Sequence, residues 1–170
     1  MLHVVLFEPE IPHNTGNIAR TCVATGTVLD LVKPLGFSID EKAVRRAGLD
    51  YWKDVEINIW DSTEDFLKAH EGKKLFFFTT KARKNYCDVS YPENEDVYLI
   101  FGKESRGIEE EILLRFPSSC LRIPMINETR SLNLSNSVAI AVYDYYRQRG
   151  FTHPFKIEGQ LHRHKWEDSL

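Results

Sequence analysis

The sequence lacks several features that would assign it directly to a structural class. It contains only three cysteines, Cys22, Cys87 and Cys120, and no Cys-x-x-Cys pair. This odd number argues against both a disulfide framework and a cysteine-rich zinc site. Reduced thiols are the simplest interpretation, and they predict a cytoplasmic protein. His162 and His164 form an isolated pair, so we expect no metal site.

Long apolar runs and an excess of basic charge are also missing. No apolar stretch reaches the roughly 20 residues that a membrane span needs, and residues 1–12 lack the pattern of a signal peptide. We therefore expect no membrane association and no secretion. The net charge is −3 at pH 7, which gives no global support for nucleic-acid binding, although a local basic patch suffices for it. The 170 residues fit one domain, which we place at residues 1–155, followed by a polar tail over residues 156–170.

Apolar runs alternate with helical patterns along the chain. Strands are predicted over Leu2–Phe7, Val28–Val32, Val55–Trp60, Leu75–Thr80, Val97–Phe101 and Cys120–Ile123. Helices are predicted over Asn14–Gly26, Asp40–Arg46, Ser62–His70, Glu109–Phe116 and Ser135–Arg149. This alternation predicts an α/β fold, with a mostly parallel sheet and helices on both faces. Ligands bind such folds beyond the carboxyl ends of the strands.

Three polar segments follow predicted strands. In the first, Asn14, Asn17 and Arg20 fall within an arc of about 120° on one helix face, which suits a phosphate or another anion. A capped surface helix with an exposed arginine is the alternative. In the second, Gly102 directly follows a strand, which indicates either close backbone approach by a ligand or a turn that requires glycine.

The third segment runs from Ile123 to Ala139 and is the most informative. Pro124 ends the strand because it has no N–H group. Polar side chains then crowd one strand-to-helix junction, namely Asn127, Arg130, Ser131, Asn133 and Asn136. The alternative is a polar loop followed by an amphipathic helix whose tyrosines pack in the core or an interface. That alternative accounts for the helix, but it accounts poorly for the crowding of polar residues before it.

Read in order, these segments resemble the three motifs of the SPOUT RNA methyltransferases. The matching residues are Asn14 and Arg20, then Phe101-Gly102-x-Glu104-x-x-Gly107-Ile108, then Ile123-Pro124-Met125 with Ser131-Leu132-Asn133-Leu134-Ser135-Asn136-Ser137-Val138-Ala139. The opening segment, residues 7–17, is similar to the TrmL (YibK-like) branch, whose members 2′-O-methylate the wobble nucleotide of leucine tRNAs, a cytidine or a modified uridine.

The resemblance implies a deep C-terminal trefoil knot, S-adenosylmethionine as cofactor, S-adenosylhomocysteine as product, a tRNA substrate and a homodimer that completes the active site across its interface. It implies neither a metal nor DNA binding. Residues implied to bind the cofactor are Phe78, Thr79, Gly102, Ile123, Met125, Ser131 and Leu132. Those implied to be catalytic are Arg20 and the supporting Asn14, Glu104, Ser131 and Asn133.

Arg20 is the difficult residue, because an arginine keeps its proton above pH 12 in ordinary sites. Either its environment perturbs it enough to act as the base, or it clamps the phosphate and stabilises the developing oxyanion while the proton passes to phosphate or water. For RNA contact we consider basic clusters at Lys81–Lys84, Arg45–Arg46 and Arg163–Lys165, with Trp52 or Tyr86 stacking on a base.

Three alternatives remain open. The chain could methylate another tRNA or ribosomal RNA site, or it could be an idle RNA-binding module that keeps the cofactor pocket. A nucleotide-binding protein of flavodoxin type is disfavoured, because the Gly102–Gly107 segment is followed by Ile-Glu and no glycine-rich phosphate signature occurs.

Overall fold

The computed structural model describes residues 1–39, 52–126, 131–152, 154–159 and 162. The strands are β1 (Leu2–Phe7), β2 (Val28–Val32), β3 (Ile57–Trp60), β4 (Lys74–Phe78), β5 (Lys84–Asn85), β6 (Val97–Phe101) and β7 (Cys120–Arg122). The helices are α1 (Pro12–Thr25), α2 (Thr63–Ala69), α3 (Glu110–Arg115) and α4 (Leu134–Gln148). Within this described part, no helix is both long and apolar enough to cross a membrane.

The described strands form one seven-stranded sheet with the order β3-β2-β1-β6-β4-β7-β5. Every neighbouring pair in it is parallel, so the carboxyl ends of β4, β6 and β7 lie together at one edge of the sheet. The predicted α/β class with a parallel sheet is therefore confirmed.

Helices cover both faces of this sheet. On one face, Ile18 of α1 and Val142 of α4 are fully buried against strands β1, β2 and β6. On the other face, Phe66 of α2 and Leu113 of α3 pack against a second apolar cluster. Buried on both sides, the central strands read as nearly continuous apolar runs, as parallel strands do.

Several element boundaries differ from the sequence prediction. Helix α1 begins at Pro12, in the first turn where proline needs no hydrogen-bond partner, and Asn14 does not cap it. Gly26 does end it, with a left-handed φ of 64°. The two-residue edge strand β5 was not predicted, since so short a segment carries no alternation.

Other predictions have mixed outcomes. The helix predicted over Ser62–His70 is confirmed as α2, and Ser62 caps it, since its side chain accepts a hydrogen bond from the backbone N–H of Asp65. The predicted helix over Asp40–Arg46 lies outside the described residues. So does the chain through residues 127–130, and the trefoil knot stays a prediction.

Candidate active site

A cavity of about 510 Å³ lies beyond the carboxyl ends of β4, β6 and β7. The rings of Phe78 and Phe101, the last residues of β4 and β6, stack beside it with centroids 4.9 Å apart. Its size lies within the range of pockets that enclose a small organic ligand. The lining residues include Asn14, Phe78, Thr79, Lys81, Gly102, Glu104, Arg106, Ile123, Met125, Ser131, Leu132 and Asn133.

The Glu104 carboxylate joins the loop after β6 to the start of α1. One of its oxygens accepts a hydrogen bond from the backbone N–H of Glu10 at 2.9 Å. The other accepts from the backbone N–H of Ile11 at 3.3 Å and from Asn14 Nδ2 at 3.0 Å. Glu104 thus places a carboxylate at the positive end of α1, where the helix dipole favours a negative charge.

The hydrogen bonds continue from Asn14 to the start of α4. Asn14 is 6% exposed, and its Oδ1 accepts from Asn133 Nδ2 at 2.9 Å. Asn133 is the N-cap of α4, and its Oδ1 accepts from the backbone N–H groups of Ser135 and Asn136 at 2.9 and 3.3 Å. Residues 14, 104 and 133, far apart in the sequence, therefore form one continuous chain of hydrogen bonds at the cavity wall.

A second carboxylate, that of Glu10, joins the same two loops. Glu10 accepts hydrogen bonds from the backbone N–H and the hydroxyl of Ser105 at 2.9 and 2.8 Å. These two bonds hold the pKa of Glu10 below its usual value. Next to this contact, Lys103 forms an ion pair with Glu8, whose backbone φ of 51° is in the left-handed region.

The turn itself requires glycine at position 102. A Cβ placed there would lie 2.2 Å from the carbonyl carbon of Gly107 and 2.3 Å from the backbone nitrogen of Ile108. The turn closes when Gly107 donates its N–H to the carbonyl of Lys103 at 2.8 Å. Of the two interpretations of Gly102, the structure supports the one based on turn geometry.

The structure gathers most of the residues that the sequence singled out. All seven residues implied to bind the cofactor line the cavity, together with Asn14, Glu104 and Asn133. Arg20 is the exception, because it is exposed on α1 and is not among the residues lining the cavity. Trp52 and Tyr86, considered for base stacking, pack partly buried against the core. The basic residues at 45, 46, 163 and 165 lie outside the described residues.

Sequence reasoning did not assign a site role to Glu10, Lys103 or Arg106. Lys103 and Arg106 line the cavity, and Glu10 contacts its wall. Their positions directly after β1 and β6 were the available signal, since ligand-binding groups collect at strand ends. Among the described residues, no group of three His, Cys, Asp or Glu side chains is placed to hold a metal ion.

Comparison with known proteins shows the family of the chain. Residues 1–143 match the model of the SpoU rRNA Methylase family. The chain belongs to the SpoU methylase family. A relative from Aeromonas hydrophila subsp. hydrophila, named tRNA (cytidine(34)-2'-O)-methyltransferase, is 47% identical over 152 residues, which cover 89% of this chain and 96% of the relative.

Two solved structures support the same fold. One, described as giving insight into 2-OH methylation of C/U34 on tRNA, has a TM-score of 0.79 at 46% identity and covers 88% of this chain and 91% of its own. The other is an AdoMet-bound rRNA methyltransferase from Sinorhizobium meliloti, with a TM-score of 0.76 at 25% identity, covering 91% of this chain and 57% of its own. The fold is thus that of the SPOUT methyltransferases.

Proposed function

We propose that this protein transfers a methyl group from S-adenosylmethionine to the ribose 2′-hydroxyl of the wobble nucleotide of leucine tRNAs, a cytidine or a modified uridine, in the cytoplasm. The observation that carries the proposal is the convergence of Asn14, Glu104 and Asn133 on one cavity in a chain 47% identical to a relative named for methylation of cytidine 34.

The cavity fits the cofactor in size and chemistry. The stacked rings of Phe78 and Phe101 offer an apolar surface, and the exposed backbone of the loops after β4, β6 and β7 offers donors and acceptors for polar edges. The residues that would hold the cofactor are Phe78, Thr79, Gly102, Ile123, Met125, Ser131 and Leu132. When bound, S-adenosylmethionine supplies the electrophilic methyl group and leaves as S-adenosylhomocysteine.

Asn14, Glu104 and Asn133 would support the reaction by position. Their polar atoms are engaged with one another and with the starts of α1 and α4. Methyl transfer needs the acceptor oxygen held in line about 3–3.5 Å from the methyl carbon. A cavity wall held by these hydrogen bonds keeps the cavity in one shape. Ser131 is exposed and lines the cavity, and its hydroxyl would contact the bound cofactor or ribose.

Arg20 would enter the site from a second copy of the chain. It lies six residues after Asn14 on α1, on the exposed side of the helix and outside the lining of the cavity. A homodimer that brings α1 of one subunit to the cavity of the other would place a guanidinium at the methyl acceptor. There Arg20 would clamp phosphate and stabilise the developing oxyanion, while the proton of the 2′-hydroxyl passes to phosphate or water.

Mixing two inactive variants tests the shared site. The first variant is Arg20→Ala. The second is Leu132→Trp, chosen to fill the cavity, and its loss of S-adenosylhomocysteine binding is verified before the two are mixed in equal amounts. If the site is shared, half of the dimers formed by random exchange carry one intact site, so the mixture regains about one quarter of wild-type activity. A site contained within one subunit leaves the mixture inactive.

Arg20→Lys tests the clamp. Lysine keeps the charge and loses the planar pair of donors that binds phosphate in two places, so the clamp predicts loss of most activity. Wild-type turnover by this variant would refute the clamp.

RNA contact would come from the exposed basic residues beside the cavity. Lys81 lines it, and Arg83 and Lys84 follow on the exposed edge of the sheet. Because phosphate contacts release counterions, tRNA affinity should fall as salt rises. Substitution of all three residues by alanine should weaken tRNA binding and make the affinity less dependent on salt. An unchanged salt dependence would show that these residues do not contact the RNA.

The domain that carries this activity would end near residue 155. Phe155 packs on Tyr146 of α4 with ring centroids 4.7 Å apart, and residues 156–159 are exposed. Removal of residues 156–170 should therefore leave cofactor binding intact in calorimetry.

Methylation of total tRNA and of ribosomal RNA in parallel, followed by nucleoside mass spectrometry, tests the function itself. The proposal expects 2′-O-methylcytidine and 2′-O-methyluridine derivatives in leucine tRNAs and none with Arg20→Ala. Methyl transfer to ribosomal RNA would favour the other substrate class. Cofactor binding without transfer to either RNA would favour an idle RNA-binding module.

A further inference from the structure

Glu10 and Glu104 hold each other's loops in a reciprocal arrangement. The Glu104 side chain accepts a hydrogen bond from the backbone of Glu10 at 2.9 Å. The Glu10 side chain accepts from the backbone of Ser105 at the same distance. Each carboxylate therefore satisfies a backbone donor of the loop that carries the other, across more than 90 residues of sequence.

The turn held in this way is the wall of the cavity. Residues 102–107 all line it, and three consecutive residues of the turn, Lys103, Glu104 and Ser105, each bond to the segment 8–14. Lys103 and Glu104 hold the first half of the turn. The two hydrogen bonds that Ser105 donates to Glu10 extend this hold one residue further along, toward the second half of the turn.

The segment that carries Glu10 is itself held in place. Gly36 donates its N–H to the carbonyl of Pro9 at 2.9 Å. A Cβ on Gly36 would lie 2.7 Å from the Cα of Glu10, so the loop after β2 is in close contact with the backbone of Glu10. The backbone at Glu10 is therefore held by the loop after β2, while its side chain holds the turn 102–107.

We propose that Glu10 is a positioning residue for the cofactor, which acts by holding the turn 102–107 in the shape that S-adenosylmethionine fits. This inference rests on the proposed function and adds to it a residue outside the cavity lining. It predicts that losing the Glu10 side chain weakens cofactor binding and raises the KM for the cofactor, while the KM for tRNA stays unchanged.

Calorimetric titration with S-adenosylhomocysteine tests the role. Glu10→Ala removes both acceptors of the Ser105 bonds and should raise the Kd by about fivefold, since these are hydrogen bonds to a charged group at a partly exposed position. Glu10→Gln keeps an oxygen for the Ser105 N–H and gains an amide donor for the Ser105 hydroxyl, so it should restore the Kd to within about twofold of wild type.

Two further variants keep the test decisive. Ser105→Ala loses the hydroxyl bond and keeps the backbone bond, so it should fall between wild type and Glu10→Ala, and it serves if Glu10→Ala does not fold. Glu71→Ala removes an exposed carboxylate that has no side-chain hydrogen bond or ion pair to the described residues, and it should bind like wild type.

The outcomes separate this inference from the proposed function. Absence of S-adenosylhomocysteine binding by the wild-type protein would refute the proposed function. Binding by the wild type with an equal Kd for Glu10→Ala would overturn the role of Glu10 alone. A Kd for Glu10→Gln as weak as that of Glu10→Ala would also overturn it, because charge and not the hydrogen bonds would then be responsible.

Discussion

Replacing Gly102 by alanine tests the architecture of the cavity wall most directly. The added Cβ would lie 2.2 Å from the carbonyl carbon of Gly107, whereas ordinary contacts begin at 3.4 Å. The atoms it meets belong to the backbone, so relief requires the turn to open by more than 1 Å. Such a displacement also breaks the 2.8 Å bond from Gly107 to Lys103.

The expected cost combines these two effects. Overpacking of this kind costs about 1–3 kcal/mol, and the lost backbone hydrogen bond costs about 1 kcal/mol. We therefore expect Gly102→Ala to lower the free energy of unfolding by about 2–4 kcal/mol, measured by urea denaturation with an unchanged dependence on denaturant. S-adenosylhomocysteine binding should weaken as well, because the turn forms the cavity wall.

Gly107→Ala is the matched control. A Cβ there meets nothing within 4 Å, but the backbone φ is +71°, so the variant carries only the left-handed strain of about 1–2 kcal/mol. Gly102→Ala should be the more damaging of the two in stability and in cofactor affinity. Equal or smaller damage at Gly102 would refute the packing argument.

Other expectations follow from single groups. Asn133→Ala should cost about 1–2 kcal/mol in thermal unfolding because α4 loses its N-cap, whereas Asn133→Ser keeps the cap and should lose activity more than stability, since Asn14 loses its partner. Burial raises the pKa of Cys22 to about 12 and also raises that of Cys120, so a thiol reagent at pH 8 should modify exposed Cys87 alone in the native protein, and rapid labelling of Cys22 would contradict its burial. Because its bonds to Ser105 lower the pKa of Glu10 in the folded protein, its stabilising contribution is present above the unfolded pKa and is lost as the pH falls through the lower folded value. The melting temperatures of wild type and Glu10→Ala should therefore converge below pH 4.5, and convergence already at pH 6 would contradict this assignment.

The strands were predictable because they are buried on both sides. Apolar runs rich in Val, Leu and Phe mark β1, β2, β4 and β6 without help from the rest of the chain. Their parallel arrangement followed from the intervening helices. The ends of elements were less predictable, because they depend on contacts from elsewhere in the chain.

Asn14 shows how a distant contact overrides a local rule. Locally it is a good N-cap, and the sequence gives no sign that a carboxylate 90 residues away takes its amide group. Helix α1 consequently starts two residues earlier, at Pro12. The role of Gly102 was also not predictable, because a glycine required by a turn and a glycine required by a bound ligand look the same in a sequence. Arg20 was singled out by its spacing from Asn14 and by the resemblance, and it does not lie among the residues that line the cavity.

The hydrogen bonds that run from Glu104 through Asn14 and Asn133 to α4 have one fixed donor-to-acceptor direction. This direction determines the electrostatics of the site. An ionised carboxylate only accepts hydrogen bonds, so Asn14 must turn its amide N–H₂ toward Glu104 and its oxygen toward Asn133. Asn133 must then donate to Asn14 and use its own oxygen to cap α4. The positive ends of α1 and α4 therefore both point toward the cavity wall, and the negative charge of Glu104 offsets them. A wall balanced in this way would suit the cationic sulfonium group of the proposed cofactor, which two uncompensated helix ends would repel.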